Sequence, residues 1–280
     1  MEYHYKRSRA LLCEASTVSA PKPNMAMRSG SMGEVRARVI APLCFLIVAM
    51  VCVPASGAEI EVTAGGSASA TSGAAALARM TSDEIKAALR KVTKALLPKS
   101  KFTHPIRFRG KLFFNLNDDA HGHELWESDL TEAGTRLVKD IWPGKEDGYP
   151  HSLVVFRNTL YFSADDGVNG KEVWRSDGTA AGTVLHKDVR QGSEHSYAQS
   201  LAGCESAGLF FGADDGAHGF ELWRSDGTTK GTKMLIDITE GPGDSALSSL
   251  ECDKDGSLKF MVEQQHWVSD GTVFGTKKKV

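Results

Sequence analysis

The 280-residue sequence lacks the short motifs that mark common catalytic centres. It has no Gly-x-Ser-x-Gly nucleophile turn, no His-Glu-x-x-His zinc motif and no glycine loop of the kind that binds phosphates. Carboxylates for glycoside hydrolysis are plentiful, but no feature of the sequence selects a pair of them. We therefore expect no catalysis, and a secreted glycan-active enzyme of propeller type is the alternative interpretation.

A large excess of charge of one sign and a long apolar run are also missing. The net charge is −2, and residues 59–280 hold 26 basic and 32 acidic side chains. Because no basic stripe is available to neutralise phosphates, nucleic acid is excluded as a partner. The apolar stretch at residues 39–53 has 15 residues, whereas a membrane-spanning helix needs roughly 20. No stable membrane span is therefore expected in the mature chain.

That apolar stretch has the form of a secretory signal instead. Arg36 and Arg38 precede it, and the small residues of 54–58 follow it. We interpret residues 32–58 as a signal peptide that begins at Met32, and residues 1–31 as an upstream extension. The prediction is a secreted or cell-surface protein, with a signal anchor as the alternative.

What the sequence does contain is a repeat of just under 50 residues. The repeated tryptophans are separated by steps of 48, 49 and 44 residues, and they are Trp126, Trp174, Trp223 and Trp267. Each copy has four short segments rich in Val, Leu, Phe and Tyr, separated by turn signals such as Asp-Gly. Such a unit has the size of one four-stranded β-propeller blade. Because a tryptophan recurs in every copy, we interpret the four tryptophans as structural residues that pack the blades.

The predicted fold is therefore an all-β repeat protein, a small or partial β-propeller of about four copies. The copies occupy about 101–148, 149–197, 198–246 and 247–280. Either a strand from elsewhere, such as residues 59–63 or another chain, completes a four-bladed ring, or the chain is truncated. Completion by another chain would make the protein an oligomer.

The repeated motif resembles the ELWxxDGT repeat family of secreted or surface-associated proteins. Residues 221–232 read Glu-Leu-Trp-x-Ser-Asp-Gly-Thr-x-x-Gly-Thr, and the resemblance extends over about residues 101–276. Copy one departs from it at Glu127 and Leu130, and copy four keeps only the tryptophan and residues 269–276. The resemblance implies architecture and an extracellular location, and it brings no established reaction to these residues.

Two segments precede the repeats. Residues 59–80 contain a Gly/Ser/Ala tract that we interpret as a flexible linker. Residues 81–98 are predicted to form an amphipathic helix, since Thr81 and Glu84 fit a capping box and apolar residues recur on one face. We expect this helix to pack on the repeats or to cap their end. A partner-binding or membrane-surface helix is the alternative.

Two cysteines, Cys204 and Cys252, remain after the predicted signal and extension, which hold the other three. They lie 48 residues apart in the first strands of copies three and four. A disulfide between them fits an oxidising compartment. Two free buried thiols are the alternative, because the neighbouring Ser-Leu pairs are 49 residues apart, and an offset of one residue can turn side chains to opposite faces.

Strand alternation brings two kinds of loop to one rim of the repeats, which we call the loop rim. It consists of the turns between second and third strands and of three linkers between copies, 142–152, 190–200 and 239–249. Linkers that differ on a periodic frame are suited to binding. The predicted ligand-binding residues are Trp142, Tyr149, His151, His195 and Tyr197. The expected partner is an extracellular protein or a glycan.

The loop rim also gathers aspartates that could bind calcium. They are Asp118, Asp119, Asp165, Asp166, Asp214 and Asp215. The simpler interpretation is that each pair bonds its own backbone in a tight turn. His121 and His123 could hold zinc, but no third ligand stands nearby at ligand spacing. A calcium-stabilised structural or adhesive surface protein is thus a further alternative to the expected binding module.

Overall fold

A computed structural model describes residues 68–279 of the chain. The predicted upstream extension, the signal segment and the strand at 59–63 lie outside this range. The described part begins with two helices, α1 (Ala68–Arg79) and α2 (Ser82–Leu96), and continues with strands only. None of its helices is long and apolar enough to cross a membrane.

Sixteen strands form four antiparallel sheets, one for each predicted copy, and each sheet keeps the strands in chain order. Sheet 1 contains β1 (Phe102–Phe108), β2 (Lys111–Asn117), β3 (His123–Ser128) and β4 (Arg136–Lys139). Sheet 2 contains β5 (His151–Phe156), β6 (Thr159–Asp165), β7 (Lys171–Ser176) and β8 (Val184–Lys187). Sheet 3 contains β9 (Gln199–Cys204), β10 (Gly208–Asp214), β11 (Phe220–Ser225) and β12 (Lys233–Ile236). Sheet 4 contains β13 (Leu247–Cys252), β14 (Leu258–Val262), β15 (Gln265–Ser269) and β16 (Lys277–Lys278).

In the first three sheets, the second strand has buried residues on both faces, because an element packs on either side of it. In β2, Phe113 points toward sheet 2, where it packs with Leu160 and Phe162. Phe114, one residue on, points the opposite way and packs with Trp126. A strand buried on both faces is a continuous apolar run rather than an alternating one, as the sequence of β2 shows.

The four sheets lie in a row in chain order. The first strand of each sheet lies beside the first strand of the next, so β1 contacts β5, β5 contacts β9, and β9 contacts β13. Apolar clusters join sheet 1 to sheet 2, sheet 2 to sheet 3, and sheet 3 to sheet 4. The four repeated tryptophans all face backward, toward the element that precedes their own sheet.

Sheet 1 has no sheet before it in the described chain, and the two helices cover its backward face. Leu77 of α1 and Ile85 and Leu89 of α2 form one apolar cluster with Phe114 and Trp126. Thr81 is the N-cap of α2, and its side chain and that of Glu84 form a capping box. The helix predicted at residues 81–98 is therefore observed, and it packs on the end of the row.

The prediction of a flexible linker at residues 59–80 is wrong for its described part, since α1 occupies residues 68–79. The Gly/Ser pattern concealed an alanine-rich segment, and alanine has the highest helix propensity of all residues. Leu77 is 4% exposed, so tertiary packing holds the segment on sheet 1. Contact with a sheet stabilises a short helix that would be marginal alone.

Cys204 and Cys252 form a disulfide that joins β9 to β13. Both cysteines are last residues of first strands, equivalent to Phe108 and Phe156 in the two earlier sheets. The offset suggested by the Ser-Leu pairs does not apply at this position. It arises earlier in the strands, where register shifts interrupt the pairing of β9 with β10 and of β13 with β14.

Sheet 4 is the smallest, and its turn between second and third strands has only two residues. Glu263 and Gln264 both have positive φ, as a two-residue type I′ hairpin requires. This turn replaces the Asp-Asp-Gly loop of the other copies and accounts for the shorter step of 44 residues to Trp267. Its fourth strand, β16, is only two residues long.

Candidate functional site: the loop rim

Each linker on the loop rim is anchored by one buried glutamate. Glu124, Glu172 and Glu221 lie at equivalent places in β3, β7 and β11, and all three are fully buried. The Glu124 carboxylate accepts the N–H of Ile141, just before the linker, at 2.9 Å, and the N–H groups of the linker residues Trp142 at 3.2 Å and Gly148 at 2.9 Å. The linkers are therefore held as rigid loops.

The other two glutamates repeat this arrangement with small changes. Glu172 accepts the N–H groups of Val189, Arg190 and Ser196. Glu221 accepts the N–H groups of Ile238 and Thr239 and the hydroxyl of Ser245 at 2.6 Å. Gln265 stands at this position in sheet 4, where it is exposed.

Burial dominates the electrostatics of these glutamates. Burial raises the pKa of Glu124 and of Glu172 to about 7. The N–H donors act in the opposite direction, because they stabilise the charged carboxylate, but their effect is smaller. The pKa of Glu221 is also raised by burial. No role was predicted for these glutamates, although each is the first residue of the repeated Glu-Leu-Trp or Glu-Val-Trp motif.

One aspartate in each Asp-containing turn of the loop rim accepts N–H groups of that turn; these are Asp118, Asp166 and Asp215. Asp166 Oδ1 accepts the N–H groups of Val168 at 2.9 Å and Asn169 at 2.7 Å. Asp118 and Asp215 make the same two bonds, and each also contacts a histidine, His121 at 2.6 Å or His218 at 2.8 Å. These contacts hold the pKa of both aspartates low and raise the pKa of both histidines.

The aspartate pair of copy one lies one residue out of register with the pairs of copies two and three. Asn117 and Asp118 are the equivalents of Asp165 and Asp166, so Asp119 occupies the position of Gly167. Asp119 has a φ of 63°, in the region that Gly167 also uses. The sequence Asn-Asp-Asp concealed this shift, because aspartate tolerates positive φ better than most residues.

Across residues 68–279, no group of three or more His, Cys, Asp or Glu side chains is arranged to hold a metal ion. The six aspartates named as calcium ligands are divided among three separate turns. His121 bonds to Asp118, whereas His123 Nδ1 lies 2.8 Å from Asn115 Oδ1. These two histidines are therefore engaged in different local contacts.

One cavity on the loop rim lies between the first and second copies. It is about 310 Å³ and is lined by Trp142, Asp147, Tyr149, Asp165, Lys171 and His195. We call it the Trp142 pocket. It collects three of the five predicted ligand-binding residues and one of the predicted aspartates. Asp147 and Lys171 were missed, since neither stands out from the many charged residues of the sequence.

Asp165 is the buried acceptor of the Trp142 pocket. Its side chain is 6% exposed, and Oδ1 accepts the N–H of Gly167 at 2.9 Å. No hydrogen bond from residues 68–279 reaches Oδ2. His195 Nδ1 lies 3.6 Å from Oδ2, and that nitrogen already accepts the N–H of Lys171 at 2.9 Å. Because His195 Nδ1 acts as an acceptor in this bond, it does not donate to Asp165 Oδ2.

Tyr149 and Tyr197 are equivalent residues that both stand out from the loop rim. They are 47% and 56% exposed, and both have positive φ, 47° and 52°. Non-glycine residues in this region are strained and persist only where their surroundings hold them. Tyr149 belongs to the Trp142 pocket, whereas Tyr197 lies against His195 at 5.5 Å between ring centroids, outside it.

His151, another predicted ligand-binding residue, is half-buried. It is not among the residues that line the cavity, and its Nδ1 lies 3.0 Å from the carbonyl oxygen of Tyr149. Burial lowers its pKa. His151 thus supports the loop that carries Tyr149.

The hairpins at the opposite rim bond only to themselves and to adjacent copies. Asp177 Oδ1 accepts the N–H and hydroxyl of Thr179, and Ser176 Oγ lies 2.7 Å from Thr183 Oγ1. The same bonds recur in the other three copies. Arg109 reaches across to the carbonyl oxygen of Asp177 at 2.8 Å. This rim is therefore a structural frame.

Comparison with known proteins gives likenesses of fold only. No family model matches the chain, and no curated protein matches it. Among solved structures it is similar to a gluconolactonase from Xanthomonas campestris, with TM-score 0.40 and 15% identity over 64% of this chain and 61% of that one. It is also similar to prolyl oligopeptidase B from Galerina marginata, with TM-score 0.44 and 12% identity over 74% of this chain and 34% of that one.

A puromycin hydrolase gives a comparable likeness, with TM-score 0.41 and 13% identity over 64% of this chain and 30% of that one. The chain thus spans less than two thirds of the length of each of these proteins. At these identities and TM-scores, the likenesses carry no argument about activity.

Proposed function

We propose that this protein is an exported module of the ELWxxDGT repeat type, built as a partial β-propeller, which binds an extracellular partner through its loop rim. The stacked four-stranded sheets and the Trp-x-Ser-Asp repeat support the architecture. The form of residues 32–58 and the disulfide support export to an oxidising compartment.

The observation that carries the binding proposal is the Trp142 pocket. It places two aromatic side chains, Trp142 and Tyr149, beside a carboxylate that is almost fully buried and has one unpaired oxygen. Exposed aromatic surface on rigid loops, next to a few polar groups, is the usual composition of a binding site. Because Glu124 fixes the linker, little ordering of the loop remains to oppose binding.

The test is capture of partners from the extracellular proteins and glycans of the source cells, compared between wild type and Trp142→Ala/Tyr149→Ala. We expect the double variant to lose at least tenfold in affinity with an unchanged circular dichroism spectrum. Phe274→Ala is the matched control, since Phe274 is 97% exposed on the opposite rim and should bind like wild type. Equal binding by all three proteins would move the site away from the Trp142 pocket.

A further inference from the structure

The equivalent place between the second and third copies differs from the Trp142 pocket in one decisive respect. There, Arg190 stands where copy one has Trp142, and its Nη1 forms an ion pair with Asp214 Oδ2 at 2.7 Å. Asp214 is the equivalent of Asp165. The chain itself therefore shows what the unpaired oxygen of Asp165 lacks, which is a guanidinium group.

The side chains of Trp142 and Arg190 occupy matching positions. A methyl group added to Gly167 would come 2.5 Å from Trp142 Cε2, and one added to the equivalent Gly216 would come 3.3 Å from Arg190 Nε. Each side chain thus lies over the turn of the following copy. The indole covers the glycine as the arginine does, but it cannot neutralise the aspartate.

We propose that the Trp142 pocket binds an arginine side chain of a protein partner, a proposal that rests on the loop-rim binding function given above. The guanidinium would pair with Asp165 Oδ2, as Arg190 does with Asp214 in the next interface. Its flat face would lie on the indole of Trp142, beside Tyr149. Guanidinium groups favour this combination of a carboxylate and an aromatic face.

The other polar groups of the pocket agree with a cationic ligand. Asp147 and Asp165 bring two carboxylates against one ammonium group, that of Lys171. Asp147 Oδ1 accepts the N–H of His123 at 2.8 Å, so only Oδ2 is available to a ligand. His195 Nδ1 accepts the backbone N–H of Lys171 at 2.9 Å. The pocket therefore has an excess of negative charge.

Calorimetry with short peptides tests the proposal directly. An arginine peptide should bind at one site, at least tenfold more tightly than the same peptide with citrulline, its uncharged counterpart. Asp165→Asn should reduce that preference to less than twofold. Equal affinity for the two peptides, or tighter binding of a glucosamine oligosaccharide than of the arginine peptide, would overturn it.

Two exchanges between the interfaces sharpen the test. Trp142→Arg should form the ion pair with Asp165 within the chain and abolish peptide binding. Arg190→Trp should free Asp214 and raise the stoichiometry from one peptide to two. Wild-type binding by the first variant, or a single site in the second when its unfolding transition is unchanged, would contradict the proposal.

These outcomes separate this proposal from the broader binding function. If Trp142→Ala/Tyr149→Ala loses the captured partner while the arginine and citrulline peptides bind equally, only the arginine proposal fails. If the double variant keeps the partner, the loop-rim function itself fails.

Discussion

The outward faces of the first and last described sheets, sheet 1 and sheet 4, differ in polarity and in what covers them. The backward face of sheet 1 is apolar, and α1 and α2 cover it through Leu77, Ile85 and Leu89. The forward face of sheet 4 is polar, since Lys259 and His266 stand where sheet 3 has Phe210 and Leu222. The first end resembles an interior interface with helices in place of a sheet, and the second resembles a solvent-facing surface.

This difference shows how a repeat array manages its ends. An interior copy must present two apolar faces, whereas a terminal one needs a polar outer face or a separate cover to remain in solution. In residues 68–279, helices cover the outward face of sheet 1, and polar side chains form the outward face of sheet 4. Sheet 4 is also held by a covalent bond, because its interface with sheet 3 contains the Cys204–Cys252 disulfide.

The largest loss of stability is expected at the face of sheet 1, where helices pack in place of a sheet. Leu89 is fully buried between α2 and sheet 1, so Leu89→Ala should lower the free energy of unfolding by about 2–5 kcal/mol through lost burial and a cavity. Urea unfolding measures it. The control is Lys259→Ala on the open face of sheet 4, for which about 0.5 kcal/mol or less is expected. Equal effects at the two ends would refute the contrast.

The disulfide at the other end should matter nearly as much. Cys252→Ser should lower stability by about 2–4 kcal/mol, because the unfolded chain regains the freedom of the closed loop. The same loss is expected when the wild-type protein is unfolded in a reducing agent. A reducing agent should have no effect on the variant, and an effect there would point to a different cause.

A third variant gives copy one the side chain that copy four has at the equivalent position. Glu124→Gln introduces the residue that sheet 4 has at position 265, and its amide nitrogen must face an N–H donor of the linker. The expected loss is about 1–3 kcal/mol. Gln265→Glu, at the exposed position, is the control and should change little.

The loss of stability caused by Glu124→Gln should also depend on pH. Burial raises the pKa of Glu124 from 4.5 to about 7. A raised pKa means that this group contributes stability below pH 4.5 and loses that contribution as the pH rises through 7. The difference between wild type and Glu124→Gln should therefore be larger at pH 5 than at pH 8. A difference that grows with pH would show the opposite sign of linkage.

The smallest effect concerns His186, which faces sheet 3 where the next copy has Leu235. Burial lowers its pKa from 6.5 to about 4, so its contribution is present above pH 6.5 and lost as the pH falls through 4. His186→Leu should change stability little at pH 7 and should reduce the fall in melting temperature between pH 7 and pH 4. Its partners Ser225 and Thr232 remain bonded to each other at 2.6 Å. If the melting temperature of His186→Leu falls as much as that of the wild type between pH 7 and pH 4, other groups cause the loss of stability in acid.

Much of the local structure was accessible from sequence. The period of the tryptophans predicted four copies, and the Asp-Gly turns and apolar segments predicted four strands in each. The Thr81–Glu84 pair predicted the start of α2. These features depend on residues within a few positions of one another, so periodicity and turn chemistry are sufficient to find them.

The candidate site was predictable only in part. The loop rim and its aromatic residues Trp142 and Tyr149 followed from strand alternation, whereas the inclusion of Lys171 and the exclusion of Tyr197 did not. The roles of the buried glutamates were also missed. Each glutamate binds linker residues that lie 17 to 24 positions away in the sequence, and no local pattern reports such contacts.

The sequence by itself determined the repeat, the strand count, the position of α2 and the rim on which the variable linkers lie. Tertiary structure alone decided that α1 is ordered, that the cysteines meet, and that Asp165 is left unpaired beside Trp142 while Asp214 is neutralised by Arg190. The physical reason is that these outcomes depend on which side chains of different copies come within bonding distance. That distance is set by the packing of whole sheets and not by neighbours along the chain.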